Sequence, residues 1–366
     1  MGKTKRQSGI ELLRIIAMLQ IIFLHVSQYG ELYKTSASAG DIDGFIVEFM
    51  WSLCRAPVNV FVMISGYFMI TSTAGVKKMI KRASNPYGAM LFYSIVISAI
   101  FFIADPSMIT LPMVIKTFMP FSSKMWYFLT NYIIILLISP FLNKMLVSLT
   151  KKQYLYFMGI IFAVMSVWST LAKIDGLDEV FDISKVVDPY YGKSLAGFLM
   201  MYIIGGYLRL FVQKKEQKNC AESGINMLYL VVFFLLCAFD FGLNYLFPQY
   251  RHVFGMFNNP IVVAESVVLL LFFRDFKFSS GFINTVAGTT LGVYAIHEHY
   301  LVRDWLWSVI SFGDKSLYDT LLYIPMAIGA CVGVFVICCI IELIRLKLFR
   351  IVSDLYNKRK SIKQKV

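Results

Sequence analysis

The chain has 366 residues, of which 58% are hydrophobic and only 16% charged, and it carries a formal net charge of +13. A soluble globular domain usually has about 25% charged residues, so these proportions exclude a lone soluble core and assign the excess apolar surface to lipid. The positive balance does not call for a nucleic-acid partner, because no basic stripe with interleaved aromatics occurs.

Apolar stretches follow one another at 12–30, 46–71, 87–104, 125–143, 154–172, 194–212, 225–247, 258–273, 282–302 and 320–341. A helix needs about 20 apolar residues to cross the hydrocarbon core, and barrel strands would show short alternating segments instead. The expected fold is therefore all-α, a bundle of about ten transmembrane helices. The first stretch resembles a signal peptide only superficially. It is long, it carries Arg14 and His25, and no small-residue cleavage site follows, so it reads as a retained span. The eighth and ninth stretches are shorter and are interrupted by Glu265 and Glu298, whereas the last runs without a charge between Asp319 and Glu342.

Loop charge tests this order. With the N-terminus inside, the inner segments (1–9, 72–86, 144–153, 209–224, 274–281 and 342–366) hold 24 Lys and Arg, and the outer loops hold 9. That is the bias a positive-inside topology requires, with both termini cytoplasmic. Most of the net charge is thus topogenic and faces anionic lipid. Acidic residues lean outward, among them Asp175, Asp178, Glu179, Asp182 and Asp188. No loop is long enough for a soluble domain, so residues 1–366 read as one integral membrane domain with a basic cytoplasmic tail from about 346 to 366. The cysteines (54, 220, 237, 331, 338 and 339) show neither zinc spacing nor a plausible disulfide pair, and read as small buried hydrophobes.

Ionisable residues inside spans are costly and usually face a partner or a cavity. Here they are Glu11, Arg14, His25, Glu48, Arg55, Asp240, Glu265, His297, Glu298 and His299. Arg14 and His25 are eleven residues apart on one helix, close to three turns, so they share a face roughly 16 Å apart along the axis. Glu11 is placed to pair with Arg14. Taken singly, Arg14 could be a snorkelling anchor and His25 an interhelical hydrogen-bonding group. Together they make a polar stripe running inward from the cytoplasm. His297 and Glu298 either line an acceptor site or form an interfacial cluster beside Trp305 and Trp307. No metal site is expected, since His297 and His299 point to different sides of a helix. Asp240 and Glu265 read as in-bundle polar groups of open role. Ser65 reads as a packing residue next to Gly66.

These residues carry a resemblance. ELLRIIAMLQIIFLHV (11–26) resembles the opening of the acyltransferase-3 family of membrane O-acyltransferases, whose first helix carries Arg, ten residues, then His. CRAPVNVFVMISGYFM (54–69) is similar to the family's second-helix segment, MWYFLTNYIIILLISPFLNKM (125–145) to its aromatic-rich fourth span, and LGVYAIHEHYL (291–301) to its late Tyr-x-x-His. Within the family the chain looks most like bacterial sugar O-acetyltransferases related to the enterobacterial common antigen enzyme. The resemblance implies acyl transfer in a bacterial inner membrane. The donor would be cytoplasmic acetyl-CoA, with no permanently bound cofactor. The acceptor would be a hydroxyl of a cell-envelope polysaccharide or lipid-linked glycan. It places His25 at the catalytic histidine, with Arg14 as its helix partner and Arg55 on the second helix. Ser65, Tyr67, Trp126, His297 and Glu298 are the expected substrate contacts. The family's paired-Arg motif in the first inner loop is replaced by KKMIKRASNP (77–86), in which Lys78, Lys81 and Arg82 supply charge without that spacing.

The chemistry fits the residues independently. A neutral imidazole at His25 can take the proton of a sugar hydroxyl; equally, it can carry the acyl group covalently. Arg55 or Tyr67 can face the oxyanion. Arg14 and the first inner loop can hold the donor's phosphates. The alternative function is a transporter or flippase of a glycan or lipid-linked precursor, and a second is a non-enzymatic sensor or scaffold.

Overall fold

The computed structural model describes residues 6–36, 42–122, 126–177, 179–180, 190–212, 221–318 and 320–363. Cys220 and the acidic loop residues Asp178, Asp182 and Asp188 lie outside the described residues. Among the described residues there are helices and turns and no strand.

Helix α1 spans Ser8–Tyr29, with Glu11 in its first turn, where a negative charge suits the helix dipole. The second apolar stretch forms two helices, α2 (Ile42–Leu53) and α3 (Pro57–Met69). Pro57 starts α3, where its missing N–H costs nothing, and the break between the two helices holds Arg55. Helix α4 is Val76–Ala104 and α5 is Tyr127–Val147. Helix α6 begins at Lys151 behind a Thr150–Gln153 capping box and passes through a π-helical turn, Ala163–Trp168, to Leu171. Helix α7 is Leu195–Phe211, α8 is Ala221–Leu246 and α9 is Pro260–Asp275. Three short helices follow, α10 (Gly281–Ala287), α11 (Thr290–His297) and α12 (Tyr300–Val309), and then α13, Tyr323–Lys363.

Among the described residues, seven helices are long and apolar enough to cross a bilayer, the α2–α3 pair counting as one. Helices α7 and α9, with 17 and 16 residues, are shorter. The stretch at 282–302, read from sequence as one span, is broken into α10, α11 and the start of α12. The interruptions fall at Gly288–Thr289 and at Glu298–His299. The last span does not stop at Glu342. Arg345, three residues on, pairs with that carboxylate at 2.6 Å and the Tyr93 hydroxyl donates to it, so α13 continues as one helix of 41 residues.

Burial has the polarity of a membrane bundle. Phe141, Ile160, Leu235 and Ile337 are more than 60% exposed, while Asp240, Glu265 and His297 are fully buried. Apolar side chains face out and costly polar ones face in, as lipid demands. The centre is the pairing of α3 with α7. A Cβ at Gly66 would collide with the Tyr202 backbone, and one at Gly205 with the Met63 backbone. Two glycines thus bring the helix backbones together, as small residues do between membrane helices.

Candidate active site

One face of α1 builds the site. Arg14, Met18, Ile21, His25 and Gln28 recur at helical spacing and all line a single cavity of about 350 Å³. Its wall is completed by Phe61 and Ser65 of α3, Tyr127 to Leu129 and Tyr132 of α5, Leu291 and Tyr294 of α11, and Lys193, Phe257 and Glu298 from connecting segments. The cavity reaches Arg6 and Arg14 at the end where α1 begins. At the opposite end it reaches Gln28, Tyr29 and Lys193. Arg14 is partly exposed, with its Nη1 3.5 Å from the Glu11 carboxylate.

His25 does not stand alone. Its Nδ1 lies 3.1 Å from His297 Nε2 and 3.1 Å from Glu298 Oε2. His297 Nδ1 is 2.6 Å from the Val293 carbonyl. A carbonyl only accepts, so Nδ1 of His297 carries the proton and its Nε2 presents a lone pair. His25 Nδ1–H therefore donates to His297 Nε2, with Glu298 Oε2 beside it at 3.1 Å but outside hydrogen-bond geometry, and the free lone pair of His25 is on Nε2. This tautomer is assigned from the hydrogen-bond network. Glu298 is held in turn by Arg303, whose Nη1 is 3.6 Å from Oε1 and whose guanidinium lies 4.9 Å over the Tyr29 ring. Tyr29 packs on His25 at 5.6 Å between ring centroids. The break at Glu298–His299 that divides α11 from α12 is thus the place where the chain turns a carboxylate toward α1. The possible ligand atoms of His25, His297 and Glu298 lie within 4.8 Å of one another.

The other residues singled out by sequence distribute differently. Ser65 lines the cavity, but its hydroxyl is donated to the Phe61 carbonyl at 3.0 Å. Tyr67 is buried outside the cavity lining and accepts a hydrogen bond from Arg209 at 3.3 Å. Trp126 is fully buried against the His299 ring, again outside the lining. Arg55 stacks on Trp51 at 3.8 Å and donates to the Gly255 carbonyl at 3.1 Å, so it braces the segment that presents Phe257 to the cavity instead of meeting the cavity itself. Asn59 donates to the Phe257 carbonyl at 2.6 Å and completes that brace. Lys78, Lys81 and Arg82 lie exposed in the first turns of α4 and are not part of the lining.

Sequence reading missed Arg6, Gln28, Tyr29, Lys193 and Arg303. Gln28 continues the Arg14–His25 spacing by three residues and was legible in principle. Lys193 and Arg303 carried no local signal, because their places depend on where distant helices dock.

A family model described as an acyltransferase domain, that of the acyltransferase-3 family, matches residues 7–343, and the chain belongs to that family. It is a multi-pass membrane protein of the acyltransferase class. No curated protein and no solved structure matches it.

Proposed function

We propose that this membrane acyltransferase is an O-acetyltransferase of a bacterial inner membrane. It would take acetyl groups from cytoplasmic acetyl-CoA and place them on a hydroxyl of a cell-envelope polysaccharide or lipid-linked glycan. The observation that carries the reading is the cavity joining Arg6 and Arg14 at one end to a tautomerically fixed His25 near the other. Arg6 and Arg14 suit the donor's phosphates, because cationic forks bind them bidentately. The pantetheine arm then follows the apolar wall of Met18, Ile21 and Phe61 toward His25. Nε2 of His25 takes the acceptor hydroxyl's proton as that oxygen attacks the thioester carbonyl, and returns it to the departing thiolate. Glu298 and His297 hold the ring and stabilise the imidazolium, the part a buried acid plays beside a catalytic histidine. The same Nε2 can instead carry the acetyl group, and a labelled acyl-enzyme formed without acceptor separates the two routes. Lys193 and Tyr29 are the polar groups nearest the acceptor's approach.

Both termini lie in the cytoplasm in this reading, and the short helices α7 and α9 and the broken α10–α12 segment complete about ten passages. The transporter or flippase alternative has no corresponding support. The decisive experiment compares envelope-glycan O-acetylation by mass spectrometry in cells with the intact gene, a deletion, and His25→Ala at equal protein level. Acetylation should fall to the deletion level in His25→Ala; acetylation unchanged across the three overturns the reading.

A further inference from the structure

A second polar cluster is buried apart from the cavity, where α2, α8 and α9 meet. Asp240 of α8 and Glu265 of α9 are both 0% exposed, and none of their four carboxylate oxygens has a hydrogen-bond partner. Arg55 faces both, but its Nη1 is engaged by the Gly255 carbonyl, and its Nε and Nη2 are unpartnered. Ser52 and Asn244 lie beside Asp240, and Asn244 Nδ2 donates to the Asp240 backbone carbonyl at 2.8 Å. The Ser52 hydroxyl and the Asn244 Oδ1 are likewise unpartnered, at 1% and 2% exposure.

Charge counting says what is missing. Glu48, at the edge of the cluster, is neutralised by Arg251 at 3.0 Å. Tyr33, Cys54 and Cys237 also face the cluster and are neutral when protonated. With Asp240 and Glu265 both ionised, Arg55 offsets only one of them and one negative charge is in excess. An uncompensated charge inside a membrane bundle is not tolerated. A divalent ion would overshoot by one charge. A proton would restore neutrality but satisfy a single oxygen. A monovalent cation held by oxygen donors restores neutrality and gives the orphaned oxygens a common partner, as hard cations do.

We propose that Asp240, Glu265, Ser52 and Asn244 form a binding site for one monovalent cation of the sodium type. The site does not depend on the acyl-transfer reading. Its occupancy fixes Arg55, and through Arg55 the Gly255–Phe257 segment that closes one wall of the cavity.

The test is thermal unfolding of the purified full-length chain in detergent, in sodium chloride against choline chloride at constant ionic strength and pH. Sodium should raise the melting temperature saturably in the wild type and in His25→Ala. The rise should be lost in Asp240→Asn and Glu265→Gln. Ser52→Ala, which leaves the charge balance intact and guards against variants that fail to fold, should shift the half-saturating sodium concentration upward. A wild type indifferent to sodium, or a sodium response that persists in both carboxylate variants, overturns the site. A melting temperature that follows pH equally in sodium and choline assigns the extra charge to a proton and overturns it as well.

Discussion

His25 gains its chemistry from two neighbours that lie 272 and 273 positions away in the chain. Because Nδ1 donates to His297 and lies 3.1 Å from Glu298, Nε2 is the ring nitrogen left with a free lone pair. Glu298→Gln keeps the shape but removes the charge that supports an imidazolium. Its turnover should fall by about 10²–10⁴-fold, the usual worth of general acid–base assistance, with the Michaelis constant for acetyl-CoA little changed. Arg303 touches Glu298 and Tyr29 but does not line the cavity, so it is a positioning residue. Arg303→Gln should lower turnover less than Glu298→Gln does, and Arg303→Lys should restore part of the loss, measured with the same assay. Arg14→Ala should act at the other end, raising the Michaelis constant for acetyl-CoA while turnover at saturation is kept; unchanged donor affinity would remove Arg14 from the donor site.

At the scale of elements, the closest backbone approach is between α3 and α7, through Gly66 and Gly205. This explains the small residue in the Ser-Gly-Tyr segment better than a catalytic serine does, since the Ser65 hydroxyl is already donated within its own helix. Gly205→Val forces the two backbones apart. It should cost about 1–3 kcal/mol, the range for overpacking a tight contact, read as a lowered melting temperature in detergent. Helix α13 shows the opposite strategy, keeping Glu342 buried by giving it Arg345 and Tyr93. Removing one partner of such a pair strands a buried charge, so Arg345→Leu should destabilise the protein more than Gly205→Val in the same measurement.

On the proposed reading, the cavity along α1 is a passage whose two ends meet different sides of the bundle. Arg6 and Lys193 mark those ends. In a background whose native cysteines are replaced, Arg6→Cys should be labelled by a membrane-impermeant thiol reagent only after the cytoplasmic side is opened. Lys193→Cys should be labelled in intact spheroplasts. Labelling of both from one side would mean that the passage does not connect the two faces of the membrane.

Composition and loop charge alone determined that this is a helical membrane protein, because the lipid solvent constrains length, hydropathy and Lys/Arg placement residue by residue. The shared face of Arg14 and His25 was equally legible, since helical spacing is a local property. What only the tertiary structure decided was the company those residues keep. His297 and Glu298 reach His25 because a break between α11 and α12 turns them inward. Arg55 braces a distant segment because α3 begins beside it. The span read at 282–302 becomes three helices, broken at Gly288–Thr289 and at Glu298–His299. Long-range docking leaves no periodic trace in one sequence, and so it had to be seen in three dimensions.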